Sequence, residues 1–334
     1  MNQKILVTGG AGFIGSHLTD ELLRRGYFVR VLDNLQSGSL YNLMEASASR
    51  NFEFMQGDIL SPEDCAKAMK DIDIVYHLAC LNIRSSIRSP LENHRVNAEG
   101  TMHVLEAALR NNVKKVFYIS SSEVYGDAEE FPISEKTVPH PSTVYGASKL
   151  AGEHYARAYF RCEDLDVTIV RLFNNYGPRA YYEADKGEMI PRTIVNAILG
   201  KQPVVFGDGN QTRDFFYVKD AARALSDLIS IPELKGSVLN IGDGKEISMK
   251  TLAEKILQVM GLENLGTLQL DERPADLKRL WVDASKFYRL TGFKQNYSFD
   301  EGLLETINYY KNLKDQKGYS FSDIPHKNWE TKLV

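Results

Sequence analysis

The chain has 334 residues, a length that favours about two domains over a single small one. Hydrophobic residues make up 43% of the chain and charged residues 25%, values that exclude a disordered, collagen-like or coiled-coil protein. The formal net charge of -4 argues against a surface built mainly to bind nucleic acid.

The sequence gives no indication of a membrane span, a secretory signal or a cysteine-based metal site. No apolar run approaches the ~18 residues of a membrane-spanning helix, and the first apolar stretch is too short for a secretory signal. The three cysteines, Cys65, Cys80 and Cys162, lack metal-binding spacing, and their odd number fits reduced thiols. We therefore expect a cytoplasmic protein without a metal site.

The first part of the chain alternates two patterns. Apolar, β-branched runs predict strands at Lys4–Thr8, Phe28–Leu32, Phe52–Gln56, Ile72–His77, Val113–Ser120 and Val167–Leu172. Amphipathic patterns between most of them predict helices near Ile14–Arg25, Ser61–Met69, Pro90–Asn111 and Val144–Phe160. Buried strands that alternate with helices are typical of a parallel sheet covered on both faces, so we predict a doubly wound, Rossmann-like α/β domain over residues 1–172.

After residue 172 the alternation stops and loops rich in Asn, Gly and Pro interrupt shorter elements. The predicted elements are helices near Ile190–Leu199, Val218–Ile229, Met249–Met260 and Asp300–Leu313, and a strand at Ser237–Ile241. We predict a smaller substrate-binding domain over residues 173–315, with return segments to the first domain. Residues 316–334 are predicted to be a weakly ordered tail.

A glycine-rich loop follows the first strand and opens the first helix. In the segment Thr8 to Gly15, Gly9 permits a tight turn, Gly12 lets the backbone approach a pyrophosphate, and Gly15 permits close packing of helix on strand. The helix N-terminus adds a positive dipole. This context predicts a dinucleotide site.

An acidic residue ends the second strand and selects the cofactor. Asp33 lies 18 residues after Gly15, close to the ~20 expected of a carboxylate that binds the adenosine ribose. A carboxylate there repels a 2′-phosphate, which predicts NAD over NADP. The ends of the neighbouring strands would complete the site, so the predicted cofactor residues are Gly9, Gly12, Phe13, Ile14, Gly15, Asp33, Asn34, Asp58, Ile59, Leu78, Ala79, Tyr145 and Lys149.

A second pattern predicts acid–base chemistry. Tyr145 and Lys149 are four residues apart at the start of a predicted helix, so they share one helix face. A nearby ammonium and a bound nicotinamide cation favour the tyrosine phenolate, which can remove a hydroxyl proton while hydride leaves the same carbon. The strand that ends in Ser121-Ser122-Glu123 would lie beside this pair.

With these motifs the chain resembles the extended short-chain dehydrogenase/reductases that modify nucleotide sugars. The resemblance covers about residues 4 to 312. Its further motifs here are Asp58-Ile59, His77-Leu78-Ala79, Asn97 to Thr101, Ser121 to Gly126, Arg171 to Arg179, and Gly207 to Phe215.

The resemblance implies roles for individual residues. Ser121, Tyr145 and Lys149 would form the catalytic triad, with Ser121 on the sugar O4 and Tyr145 as the base. Asn174, Arg213 and Arg273 would hold the sugar diphosphate, which suits the forked arginine guanidinium. Val204 and Phe206 would flank the nucleotide base.

Glu123 decides which reaction is expected. A 4-ketone acidifies the C5 hydrogen, and a carboxylate beside C5 can remove it. Sugar 4,6-dehydratases carry a Thr-Asp-Glu or Thr-Ser-Glu stretch here, so Glu123 aligns with their base and Ser122 with the variable middle position. We therefore predict an NAD-dependent nucleotide-sugar 4,6-dehydratase, in which Glu123 itself protonates the departing C6 hydroxyl.

Three alternatives stay open. A 4-epimerase needs no C5 base but is otherwise similar, and decarboxylases of UDP-glucuronate also carry Ser-Glu-Val-Tyr-Gly. A silent dinucleotide sensor would normally have lost Tyr145 or Lys149. The segment Cys80 to Ser86 departs from every subfamily pattern and leaves the sugar open, and Cys80 is expected to be a small buried hydrophobic residue.

The sequence leaves the nucleotide open between UDP, GDP and dTDP. The resemblance implies a homodimer, formed by the helices near Pro90–Asn111 and Val144–Phe160 as a four-helix bundle. No nucleic-acid or membrane partner is expected.

Overall fold

A seven-stranded parallel sheet organises the computed structural model, which describes residues 3–183, 186–273, 276–316, 320, 321, 324 and 326. Its strands are β1 (Lys4–Thr8), β2 (Phe28–Asp33), β3 (Phe52–Gln56), β4 (Ile74–His77), β5 (Lys115–Ser121), β6 (Val167–Leu172) and β10 (Val238–Ile241). Their order across the sheet is β10-β6-β5-β4-β1-β2-β3. The chain first adds β2 and β3 on one side of β1 and then crosses to add β4 on the other side. In sheets of this kind, ligands bind beyond the carboxyl ends of the strands at this switch point.

Helices cover both faces of this sheet. On one face α1 (Phe13–Arg24) packs against α9 (Val218–Asp227), with α11 (Ser285–Thr291) beside them. On the other face lie α3 (Pro62–Met69), α6 (Gly100–Arg110) and α7 (Val144–Glu163). The two faces contribute separate apolar clusters because each strand is buried on both sides.

The later part of the chain builds two smaller sheets. One contains β7 (Asn174–Tyr176), β9 (Thr212–Tyr217), β11 (Glu246–Ser248) and β13 (Arg279–Leu280), and the other pairs β8 (Val204–Phe206) with β12 (Leu268–Leu270). A third apolar cluster joins α8 (Met189–Ile198), α10 (Met249–Met260) and α12 (Phe299–Asp315).

The predicted fold class is confirmed, and all six strands predicted in the first 172 residues are present with ends shifted by at most two residues. After residue 172 the chain returns to the first sheet, because β10 pairs with β6 and α9 packs on α1. The division into two domains at residue 172 stays a prediction.

One predicted helix contains a wide turn that the sequence did not indicate. The stretch predicted as Pro90–Asn111 is helical without a break, as α5 (Pro90–His94), a π-helical turn (Arg95–Glu99) and α6. In that wide turn the amide of Asn97 accepts from the Leu81 N–H at 2.8 Å and donates to the Leu81 carbonyl at 3.0 Å. The turn therefore holds the segment after β4, and such turns recur at functional sites.

Other elements were not foreseen. A short helix, α4 (Ile83–Arg88), occupies the segment that departs from the family patterns, and the Asn82 side chain caps it. Another short helix, α2 (Met44–Ser47), lies between β2 and β3 in the chain.

The predicted weakly ordered tail lies mostly outside the described residues, but Ile324 is buried and Phe321 packs edge-on against Tyr182. No helix in the described ranges is long and apolar enough to cross a membrane.

A buried ion pair joins α7 to the centre of the sheet. Glu153 on α7 accepts two hydrogen bonds from Arg171 on β6, at 2.8 and 2.6 Å, and one from the Ser120 hydroxyl on β5 at 2.6 Å. Glu153 and Arg171 are 1% and 2% exposed. Burial alone would lower the pKa of Arg171, but the hydrogen bonds and charge of Glu153 raise it above its ordinary value.

We expect Glu153→Gln to lower the free energy of unfolding by about 3–5 kcal/mol, because it leaves the Arg171 charge buried without its counter-ion. The matched control Glu99→Gln removes a pair with Arg95 that is exposed on both sides, and should cost less than about 1 kcal/mol. Urea denaturation measures both, and equal losses would contradict the account of the buried pair.

Candidate active site

The glycine loop forms a tight cradle at the start of α1. Gly9 has a φ of +71°, and a Cβ there would lie 2.7 Å from the Ala79 nitrogen. A Cβ on Gly15 would lie 2.2 Å from the Gly9 carbonyl oxygen. Larger residues cannot occupy either position, so the backbone of β1, β4 and α1 meets closely at the N-terminal, positively polarised end of the helix.

Asp33 is fixed by the same loop. Its carboxylate accepts hydrogen bonds from the Ala11 N–H at 3.0 Å and the Leu35 N–H at 2.8 Å. Burial raises the pKa of Asp33, and these two hydrogen bonds oppose that rise. Beside it, the Asn34 amide donates to Asp58 at 2.9 Å, so the ends of β2 and β3 carry linked polar side chains.

The glycine loop, Asp33, Asn34 and Asp58 all line one cavity of about 370 Å³. All thirteen predicted cofactor residues line it, and so do Ser121, Ser122, Glu123 and Asn174. The glycine cradle, the helix N-terminus and the carboxylate at the end of β2 fit a dinucleotide with a free ribose diol. Ser122 is 3% exposed, whereas Ser121 and Glu123 on either side of it are half-buried.

Tyr145 and Lys149 lie on the first turns of α7, which the Thr143 side chain caps at the Gly146 N–H. The Lys149 ammonium lies 4.6 Å from the centre of the Tyr118 ring. Burial lowers the pKa of Lys149, while Cys80 and Glu153 oppose that change.

The Tyr145 phenol is held neutral by the protein alone. Burial raises its pKa well above the ordinary value, nearby Cys80 adds to the rise, and a hydrogen bond with Ser121 opposes it. The sequence argument that a neighbouring ammonium favours the phenolate is therefore incomplete, because burial has the largest effect on the pKa of Tyr145.

Glu123 lies two residues after Ser121 and lines the same cavity. Ser121 Oγ accepts a hydrogen bond from the Glu123 N–H at 3.2 Å, and a Cβ on Gly146 would lie 2.5 Å from the Glu123 carbonyl oxygen. The start of α7 thus packs directly on Glu123. Burial raises the pKa of this carboxyl, and the charges of Arg213 and Arg273 partly offset the rise.

A second cavity of about 120 Å³ contains the predicted substrate residues Asn174, Val204, Phe206, Arg213 and Arg273. Arg213 donates to Asp276 at 2.7 Å, and Arg273 pairs with the same carboxylate oxygen. The buried Asn174 Oδ1 has no hydrogen-bond partner among the described residues. This oxygen is therefore available to accept a hydrogen bond from a bound ligand or water.

Sequence reasoning missed three residues of the site. Glu188 lines both cavities and forms an ion pair with Arg84 at 3.0 Å, although 104 positions separate the two. Tyr181 lines the larger cavity, with its hydroxyl close to the place a Gly12 Cβ would take. Only the unusual sequence of the segment after β4 drew attention to Arg84.

The expectation for Cys80 was wrong. Its side chain is exposed and lines the larger cavity, because Asn97 and α4 hold the segment after β4 open toward the site. Cys162 is also exposed but lies near the end of α7, whereas Cys65 is buried.

We expect saturating NAD to slow the alkylation of Cys80 by iodoacetamide several-fold, because the cofactor would cover the cavity wall to which Cys80 belongs. Cys162 is the internal control and should react at the same rate with and without NAD. Peptide mass spectrometry follows both thiols. Equal slowing of the two, or no slowing of Cys80, would contradict this placement.

The chain is similar in sequence to known proteins. The family model described as "NAD dependent epimerase/dehydratase family" matches residues 5–242. A dTDP-glucose 4,6-dehydratase of Streptomyces niveus is 36% identical over 92% of this chain and 93% of its own length. A UDP-glucuronic acid decarboxylase of Xenopus tropicalis is 33% identical over 97% of this chain and 76% of its own length.

Solved structures agree with the fold. The UDP-N-acetylglucosamine 4-epimerase of Methanobrevibacter ruminantium superposes with a TM-score of 0.87 at 34% identity, over 93% of this chain and 99% of its own. DesIV of Streptomyces venezuelae, a dTDP-glucose 4,6-dehydratase solved with NAD, gives 0.89 at 30% identity, over 93% and 98%.

Proposed function

The chain belongs to the NAD-dependent epimerase/dehydratase family and uses NAD, and on that premise we propose that it is a nucleotide-sugar 4,6-dehydratase. The reaction would oxidise C4 of a nucleoside-diphosphate hexose, eliminate water across C5 and C6, and reduce C6. The observation that carries the proposal is the Glu123 carboxyl, which lines the same cavity as Tyr145 and Lys149.

The cofactor would be held by the glycine cradle and by the end of β2. The N–H groups at the start of α1 would face its pyrophosphate, and Asp33 would accept from its ribose hydroxyls. When bound, NAD supplies the acceptor and later the donor of a hydride. Asp58, Ile59, Leu78 and Ala79 would form the remaining walls.

The substrate diphosphate would lie in the smaller cavity. Arg213 and Arg273 share one carboxylate, Asp276. The three side chains together therefore have a net charge of about +1, which would attract the diphosphate. The unpartnered Asn174 Oδ1 lines both cavities and would accept from the ligand where they meet. Val204 and Phe206 would flank the base.

Tyr145 would remove the proton of the C4 hydroxyl. Its pKa is high in the protein alone, so the positive charge that accompanies the oxidised cofactor is needed to favour the phenolate. Ser121 would hydrogen-bond the same sugar oxygen and the phenol, and Lys149 would bind the ribose from within the cavity.

Glu123 would act in the second stage. Once C4 is a ketone, the C5 hydrogen is acidic, and a carboxylate beside it can remove that proton. The raised pKa of Glu123 favours its holding the proton long enough to deliver it to the departing C6 hydroxyl. Such acid–base assistance is worth about 10²–10⁴-fold in rate.

A 4-epimerase is the second candidate. Ser121, Tyr145 and Lys149 suffice for oxidation and reduction at C4, and the 4-epimerase of Methanobrevibacter ruminantium is 34% identical to this chain. An epimerase, however, gives Glu123 no proton to remove from C5.

We also propose a cytoplasmic homodimer built on α5, α6 and α7. Apolar side chains are exposed on these helices, with Leu91 at 80%, Met102 at 41% and Val144 at 40%. Burying such side chains between two copies would form a four-helix bundle.

We expect Glu123→Gln to stop the reaction after its first stage. The substitution keeps the size and hydrogen bonds of the side chain but cannot accept the C5 proton. The variant should reduce bound NAD once, accumulate the 4-keto sugar, and lose about 10²–10⁴-fold in turnover. Absorbance at the reduced nicotinamide band follows the first stage, and exchange of the C5 hydrogen with deuterated water follows the second.

Tyr145→Phe is the matched comparison, because it removes the base of the first stage and keeps the ring. It should show neither NAD reduction nor C5 exchange, although the fold and NAD binding persist. Normal turnover and an unchanged product in Glu123→Gln would reject the dehydratase and favour the 4-epimerase.

A further inference from the structure

The ion pair between Arg84 and Glu188 lies where the two cavities meet. Glu188 lines both cavities, together with Asn174 and Asn175, while Arg84 lines the smaller one. The Arg84 guanidinium bonds the Glu188 carboxylate through both terminal nitrogens, at 3.0 and 3.4 Å. Neither residue belongs to the predicted catalytic or cofactor set.

We propose that this pair makes the site selective for an uncharged hexose and excludes sugars that carry a carboxylate. The inference rests on the proposed function, because it assumes that a nucleotide sugar spans the two cavities. It names the class of sugar, which the sequence left open.

The ion pair lies between the catalytic end of the site and the end that would bind the diphosphate. Tyr145 and Glu123 line the larger cavity, whereas Arg213 and Arg273 line the smaller one. A sugar whose C4 faces Tyr145, and whose diphosphate faces the arginines, must pass the wall that Glu188 shares. The charge of Glu188 also raises the pKa values of Glu123 and Tyr145, which places it near both.

Both partners are held in place by their backbones. Glu188 is the residue before α8, where its N–H donates to the Tyr181 carbonyl at 2.7 Å and its carbonyl accepts from the Arg192 N–H at 3.1 Å. Arg84 lies on α4, which the Asn82 side chain caps at the Ser85 N–H. The backbone that carries each partner is therefore held by hydrogen bonds of its own.

The guanidinium groups that line the smaller cavity already have anionic or carbonyl partners. Arg213 and Arg273 pair with Asp276, Arg192 donates to the His326 carbonyl at 3.2 Å, and Arg84 pairs with Glu188. A sugar carboxylate would meet the carboxylates of Glu123 and Glu188 and would find Arg84 engaged. Placing a third anion beside these two carboxylates is unfavourable, because the excess positive charge of the smaller cavity lies at Arg213 and Arg273, where the diphosphate would bind.

An uncharged sugar suits the same wall. Arg84 is 7% exposed, and its Nε has no acceptor among the described residues. A hydroxyl, ether or amide carbonyl oxygen of the ligand can accept from that nitrogen, and a sugar hydroxyl can donate to Glu188. This selectivity agrees with elimination of an uncharged C6 hydroxyl and argues against decarboxylation of a sugar acid.

The test compares two ligands that differ only at C6. UDP, GDP and dTDP are titrated alone by calorimetry, and the glucose and glucuronate conjugates of the tightest binder are then compared. The protein is loaded with NADH, which cannot accept hydride, so neither ligand turns over. We expect the unmodified protein to bind the glucose conjugate at least about tenfold tighter, the size of one charged hydrogen bond.

Glu188→Gln should reduce or remove this preference. It releases the Arg84 guanidinium and removes the opposing carboxylate, so the glucuronate-to-glucose affinity ratio should rise about 10- to 100-fold. Adding Arg84→Gln to that variant should remove most of the gain. Glu163→Gln, which removes an exposed charge at the far end of α7, should leave the ratio unchanged.

Arg84→Gln alone keeps the test decisive if Glu188→Gln does not fold. It leaves the Glu188 carboxylate unopposed, so the ratio should move further against the glucuronate. Tighter binding of the glucuronate by the unmodified protein, or a ratio that neither variant changes, overturns the inference while leaving nucleotide-sugar binding intact. Failure of all three nucleoside diphosphates to bind rejects the proposed function itself, and the inference with it.

Discussion

The close packing of α7 against β5 is the constraint on which the candidate site depends. Glu153 on α7 bonds Ser120 on β5 and Arg171 on β6 in a region without solvent. The Tyr118 hydroxyl donates to the Lys149 carbonyl at 3.0 Å, and a Cβ on Gly152 would lie 2.2 Å from that hydroxyl oxygen. These contacts set the height of α7 relative to the end of β5, and therefore bring Tyr145 and Lys149 to Ser121 and Glu123.

Charge is distributed unevenly along the resulting site. The cofactor end has one fixed carboxylate, Asp33, and a helix N-terminus. The middle holds Glu123, whose pKa burial raises, beside a phenol that burial keeps neutral. The far end holds paired arginines with a single shared counter-ion, Asp276. This sequence of charges suits a ligand that is anionic at its diphosphate and uncharged at its sugar.

The parts of this arrangement that the sequence predicted depend on local patterns. The strands of the large parallel sheet, the glycine loop and the Tyr145–Lys149 spacing are each encoded within a few consecutive residues. The parts that it missed depend on contacts between distant positions. Arg84 and Glu188 are 104 positions apart, and the π-helical turn forms where Asn97 bonds Leu81 across 16 positions. Cys80 was misjudged because its exposure is set by that turn and not by its neighbours in the chain.

The mass and isotope content of the product test the central claim most directly. The unmodified protein is incubated in deuterated water with a nucleoside-diphosphate hexose, and the product is analysed by mass spectrometry and NMR. The account predicts a 4-keto sugar that has lost one water and carries one solvent deuterium at C5. A product of unchanged mass without deuterium at C5 would contradict it.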